Sequence, residues 1–113
     1  MDIAWPLEEV LRDLDGGLRN LYGERYRGLV LYGSQVRGEA DEDSDVDLLL
    51  LLEEPVEVGR EIRRSSGVVA SLALEADLAL SLIPVGIEEY QASSDPYLIK
   101  ARSEGAIVSP ATG

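Results

Sequence analysis

The chain has 113 residues, 45% of them hydrophobic, a formal net charge of −12, and neither cysteine nor histidine. This composition excludes disulfides, thiolate catalysis, histidine general bases and the usual zinc ligand sets, so any chemistry depends on carboxylates, hydroxyls and arginine. So acidic a surface repels phosphate backbones, which disfavours direct nucleic-acid binding and favours a basic protein partner or a metal-carried nucleotide.

The length and hydrophobic pattern predict one folded domain over residues 1–113. The first residues lack the basic and apolar regions of a signal peptide, and the longest apolar run is far shorter than the roughly 18 residues of a membrane span. We therefore expect a soluble cytoplasmic protein with no membrane segment, and the sequence leaves its oligomeric state open.

Periodicity predicts the order helix, strand, loop, strand, helix, strand, helix, with a small terminal strand. Apolar residues at helical spacing predict a helix over residues 6–22, and short apolar runs predict strands at 28–32 and 46–52. A second helix is expected over 56–74, a third strand over 77–84, a helix from the Asp95 cap to Glu104, and a strand over 106–108. This order predicts an α/β (α+β) fold with a small mixed sheet flanked by helices.

The stretch from Gly33 to Asp47, GSQVRGEADEDSDVD, crowds carboxylates immediately before the second predicted strand. Asp45 and Asp47 are two residues apart at the strand entrance, so their side chains are expected on the same side, about 6.5 to 7 Å apart along the backbone. Two carboxylates placed in this way suit a magnesium pair of the kind used in phosphoryl and nucleotidyl transfer. Divalent ions would also offset the repulsion among the acidic side chains.

Gly33 and Ser34 lie where the first strand ends and the chain must turn. A glycine there lets the backbone approach a phosphate, and free N–H groups together with the Ser34 hydroxyl can bind its oxygens. Such sites usually contain a third carboxylate, and Asp77, at the predicted start of the next strand, is the best-placed candidate.

Gly-Ser, ten residues and then Asp-x-Asp resembles the signature of the DNA polymerase β-like nucleotidyltransferase superfamily. The stretch YGSQVRGEADEDSDVDLLL is similar to its minimal nucleotidyltransferases, which are often encoded beside a small helical HEPN protein as a toxin–antitoxin pair. The resemblance extends over essentially the whole chain and implies the polymerase β-like fold.

The resemblance also implies roles for individual residues. Gly33 and Ser34 would bind the triphosphate of ATP, with Arg37 near the phosphates. Asp45 and Asp47 would ligate two Mg²⁺ ions, and Asp77 would complete the metal site and help to deprotonate the attacking hydroxyl. Gln35 replaces a frequent arginine, so one positive contact to phosphate is expected to be missing.

Simpler interpretations exist for several of these residues. Asp45 and Asp47 would also suit a solvated acidic turn, and Asp77 a turn or helix cap. A calcium loop with Asp43 at its first position and Glu54 at its twelfth would require glycine where the chain has Leu48. Three further sets are expected to be ordinary surface or packing residues. These are the solvated loop acids Glu39, Asp41, Glu42 and Asp43, the packing residues Trp5, Tyr22, Tyr32 and Tyr90, and the exposed helix face of Arg60, Arg63 and Arg64.

The leading hypothesis is a magnesium-dependent nucleotidyltransferase in which a hydroxyl attacks the α-phosphate of ATP and pyrophosphate leaves. Because the chain is short and acidic, the expected acceptor is a protein hydroxyl, such as a tyrosine of a HEPN-type toxin partner. The alternative is a non-catalytic acidic module that neutralises a basic protein partner. Nucleotidyl transfer to a small molecule or an RNA end is the third possibility.

Overall fold

A computed structural model of the protein describes residues 7–33 and 45–109. The helices in these ranges are α1 (Leu7–Tyr22), α2 (Val58–Ala76), α3 (Ile87–Ala92) and α4 (Pro96–Glu104). The strands are β1 (Tyr26–Tyr32), β2 (Val46–Leu52), β3 (Leu80–Gly86) and β4 (Ala106–Ser109), and a 3-10 turn (Gly23–Arg25) leads into β1. Over the same ranges, every helix is too short or too polar to cross a membrane.

The strands form one four-stranded sheet in the order β3-β2-β1-β4. β1 runs antiparallel to both β2 and β4, whereas β2 and β3 are parallel and are connected through α2. This mixed sheet with helices on its faces confirms the fold class that the sequence predicts.

The leucine run of β2 explains why helices cover both faces of the sheet. Successive side chains of a strand point to opposite faces. Accordingly, Leu48, Leu50 and Leu52 pack into one cluster with the apolar stripe of α1, whereas Leu49 and Leu51 pack into another with Leu98 of α4. A strand buried on both sides is expected to be apolar throughout, as this one is.

The predicted third strand begins too early. The strand starts at Leu80 and continues through Pro84 to Gly86. α2 continues to Ala76, and Asp77 ends it in the left-handed conformation, with φ 55° and ψ 47°. Pro84 is tolerated inside β3 because this strand forms an edge of the sheet, where a missing N–H costs no ladder hydrogen bond.

The helix α3 was not predicted, and a distant side chain explains its position. The carboxylate of Glu54, in the loop after β2, accepts hydrogen bonds from the backbone N–H groups of Glu88 and Glu89, each at 3.1 Å. These N–H groups lie in the first turn of the helix, where no backbone partner is available within the helix.

A buried carboxylate connects α2 to the turn before β1. Glu61 is 2% exposed, and its carboxylate pairs with Arg25 at 3.3 Å and Arg64 at 3.8 Å. Burial, and after it Glu61, raises the pKa of the neighbouring Tyr22 to about 12. Tyr22 is buried and Tyr32 and Tyr90 are partly buried in the core, which confirms the packing role predicted for them.

Candidate active site

The antiparallel pairing of β1 with β2 brings the end of one strand beside the start of the other. Tyr32 is in register with Asp47, so Gly33, which follows β1, lies next to the acidic entrance of β2. The two halves of the predicted motif are therefore adjacent at one edge of the sheet.

Gly33 and Asp47 are in close contact. Gly33 has φ +81°, a conformation that residues with a side chain rarely adopt. A Cβ atom added at this position would lie 2.7 Å from Oδ2 of Asp47. The glycine therefore leaves room for a carboxylate of the same chain, where the sequence had suggested room for a phosphate alone.

Asp45 and Asp47 differ in exposure. Asp47 is half-buried within β2, and Asp45, immediately before the strand, is exposed. Val46 between them is fully buried in the cluster against α1 and α2. Strand alternation therefore puts Asp47 on the opposite face, the face covered by α3 and α4.

The residue beside Asp47 on the next strand is a serine. In the parallel ladder between β2 and β3, Asp47 is in register with Ser81, which is half-buried. Side chains in register on neighbouring strands share a face. Ser81, and not Asp77, is therefore the β3 residue beside Asp47, which only the register of the two strands reveals.

Asp77 lies elsewhere than the sequence predicts. Its backbone N–H donates to the carbonyl oxygens of Ala73 and Leu74 as the cap of α2, and its side chain is exposed. α2 packs on the face of the sheet opposite to Asp47. Across residues 7–33 and 45–109, no three acidic, histidine or cysteine side chains lie close enough to hold a metal ion together. Asp45, Asp47 and Asp77 are thus not gathered into one ligand set.

Predictions for Ser34 and Arg37, and for the loop acids Glu39, Asp41, Glu42 and Asp43, lie outside the described residues. The calcium-loop alternative is wrong, since its middle positions form strand β2 and the carboxylate proposed for its last position, Glu54, binds the start of α3.

Residues 11–108 match the nucleotidyltransferase domain family. The chain belongs to this family. It is 39% identical over 74 residues to the protein adenylyltransferase MntA of Thermococcus cleftensis, an alignment that covers 66% of this chain and 73% of that protein.

Solved structures share the fold at lower sequence identity. One is a crystal structure of a toxin–antitoxin with AMP-PNP (TM-score 0.62, 18% identity, 89% of this chain and 71% of that chain). Another is a crystal structure from Shewanella oneidensis (TM-score 0.55, 15% identity, 93% and 71%). At these identities the likeness supports the fold alone.

A pocket lies beside Gly33 in this nucleotidyltransferase. It has a volume of about 220 Å³ and is lined by Tyr32, Gly33, Tyr97, Lys100, Ala101 and Glu104. The rings of Tyr32 and Tyr97 meet edge to face with centroids 5.5 Å apart, and the Tyr97 hydroxyl donates a hydrogen bond to that of Tyr32. The contribution of α4 to this pocket is not apparent from the sequence, because no local pattern marks which strand this helix covers.

The chemistry of the donor groups fits magnesium. Mg²⁺ binds through one or two protein carboxylates and completes its coordination with water and substrate phosphates. Asp47, held against Gly33, and the exposed Asp45 supply two hard oxygen donors at the strand entrance. Burial, then Tyr97 and then the Asp47 carboxylate raise the pKa of Tyr32, so this tyrosine stays neutral and adds no negative charge beside them.

Proposed function

We propose that this nucleotidyltransferase transfers AMP from ATP to a hydroxyl group of a protein partner, a tyrosine of a HEPN-type toxin, and thereby acts as the antitoxin. The observation that carries this proposal is the Asp47 carboxylate seated against the glycine turn that follows β1. The 39% identity to a protein adenylyltransferase supports AMP as the transferred group. ATP as the donor favours action in the cytoplasm.

In the proposed reaction, the acceptor oxygen forms a bond to the α-phosphorus and the bond to pyrophosphate breaks. Asp45 and Asp47 would hold two Mg²⁺ ions, which when bound would neutralise charge on the phosphates and lower the pKa of the attacking hydroxyl. Gly33, Ser34 and Arg37 bind the triphosphate. Because the sheet fixes Asp47 relative to Gly33, the protein contributes chiefly alignment and preorganised charge.

The geometry supports Asp45 and Asp47 in these roles more strongly than it supports Asp77. Asp77 caps α2 and does not lie beside Asp47. Its role as metal ligand and aid to proton removal stays a prediction. Ser81, in register with Asp47, adds a neutral oxygen beside the carboxylate. We therefore propose a site based on two carboxylates, with phosphate oxygens completing the magnesium ligands.

Label transfer to the partner tests this function. The chain is co-purified with the protein encoded beside it and incubated with magnesium and ATP labelled at either the α or the γ phosphate. Label from the α position is expected on a tyrosine of the partner, and label from the γ position is not. The Asp45→Asn plus Asp47→Asn variant is expected to transfer none.

The same double variant distinguishes catalysis from binding. A variant that transfers label at the wild-type rate contradicts the proposed site. A variant that transfers no label and still neutralises the partner fully establishes the acidic binding module instead.

A further inference from the structure

We propose that Lys100 of α4 binds the phosphates of the nucleotide, as a cation that reaches the site from the helix covering β1. This inference rests on the proposed function and adds a binding residue to the same site. The pocket beside Gly33 carries it, since Lys100 and the glycine turn line the same cavity.

A nucleotide needs local positive charge in this chain. The net charge of −12 repels a polyphosphate, and two carboxylates already stand at the strand entrance. Lys100 is the only lysine of the sequence. Among the described residues that line the pocket beside Gly33, it is the one with a positively charged side chain.

Most other cations in the described part of the chain are already engaged by protein oxygens. Ion pairs or hydrogen bonds occupy seven arginines: Arg12, Arg19, Arg25, Arg27, Arg60, Arg64 and Arg102. In the same part of the chain, Lys100 and Arg63 form no side-chain ion pair or hydrogen bond with the protein. Of these two cations, only Lys100 lies at the pocket.

The backbone beneath Lys100 is firmly positioned. Leu98 and Ala101 are 5% and 3% exposed and pack into the cluster with Val30 of β1. At Gly105, which ends the helix, an added Cβ would lie 2.7 Å from Cγ1 of Val30. This close packing fixes α4 against the strand that leads into Gly33, while the flexible lysine stem leaves the ammonium free to follow a phosphate.

The other residues that line the pocket offer an anion no positive charge. Glu104, one turn further along α4, lines the same pocket and is not paired with Lys100. Tyr32 and Tyr97 contribute neutral surface and hold each other through their hydroxyls. A lysine binds phosphate as a point charge, so Lys100 adds to this pocket the positive charge that its other lining residues lack.

Arg63 provides a matched control. Lys100→Met and Arg63→Met each remove one positive charge, but Arg63 lies on α2, across the sheet from the pocket. Binding of magnesium with an ATP analogue that cannot be cleaved between the α and β phosphates is measured by calorimetry, with adenosine in parallel. Thermal unfolding verifies that both variants are folded.

The expected result is about tenfold weaker binding of the analogue by Lys100→Met, since a hydrogen bond to a charged group contributes on this order. Binding by Arg63→Met should stay within about twofold of the wild type, because salt screens a charge this far away. Neither variant should change adenosine binding, and Lys100→Arg should restore most of the affinity for the analogue.

Two results would overturn the role of Lys100 and leave the proposed function intact. In one, Lys100→Met binds the analogue as tightly as Arg63→Met does. In the other, its affinities for the analogue and for adenosine fall by the same factor. A wild-type chain that binds no nucleotide would overturn the proposed function and, with it, this inference.

Discussion

Gly33→Ala separates the conformational role of the glycine from its role beside Asp47. A side chain at φ +81° costs roughly 1–2 kcal/mol. The added Cβ would also lie 2.7 Å from Oδ2 of Asp47, so that carboxylate must turn away. Since Oδ2 is the tip of a flexible side chain, this second effect displaces a reacting group more than it destabilises the fold.

Gly23→Ala is the matched control for this variant. Gly23 has φ +57°, and an added Cβ there would contact nothing within 4 Å. Both variants should lower the melting temperature by about 4 to 8 °C, as expected for a loss of 1–2 kcal/mol in a domain of this size. Only Gly33→Ala should reduce AMP transfer, by about 100-fold, the scale expected for a misplacement of about 1 Å.

Thermal unfolding and label transfer to the partner measure the two effects on the same preparations. If Gly33→Ala is destabilised like Gly23→Ala but transfers AMP at the wild-type rate, the contact between residue 33 and Asp47 has no part in the reaction. If Gly23→Ala loses transfer equally, the loss reflects stability alone.

Further predictions concern the buried Glu61, the stability of the fold at alkaline pH and nucleotide binding in the pocket. Glu61→Ala should lower the free energy of unfolding by about 2 kcal/mol in denaturant titration, because it breaks the ion pairs of a buried carboxylate. The loss is limited because Arg25 and Arg64 are partly exposed, so water can solvate them once their partner is gone. The free energy of unfolding should fall as pH rises from 10 towards 12. Burial raises the pKa of Tyr22 from its usual 10 to about 12 in the folded chain, so the unfolded chain loses this proton first. Tyr22→Phe should make this decline shallower and leave the part that Tyr32 contributes; an unchanged pH profile would contradict the role of Tyr22. Glu104→Gln should tighten binding of the magnesium–ATP analogue two- to threefold by removing a negative charge from the pocket; weaker binding would refute this.

Apolar runs in the sequence predict the central strand of the fold, which does not depend on distant contacts for its bounds. The run Val46–Leu52 is apolar apart from Asp47 and ends at Glu53, so its strand was predicted with the bounds that the structure has. The pairing of that strand with β1 then brings Gly33 and Asp47 together. The central element of the site was therefore accessible from sequence.

Long-range contacts decided what the sequence could not predict. Alternation over residues 77–84 suits a strand, but it cannot distinguish a strand entrance from a helix that closes in the left-handed conformation at Asp77. The helix α3 depends on Glu54, a residue distant in sequence. The positions of Ser81 and Lys100 follow from strand register and helix packing, neither of which has a local signature.

In the proposed reaction, Asp47, held against Gly33, is essential to nucleotidyl transfer. The most direct measurement compares the rates at which α-labelled ATP modifies the partner with wild-type chain, Asp47→Asn and Asp77→Asn. Transfer should be abolished in Asp47→Asn. An equally large loss in Asp77→Asn would support the metal-binding role that the sequence predicts for Asp77. Transfer by Asp47→Asn at the wild-type rate would show that this carboxylate has no part in the reaction.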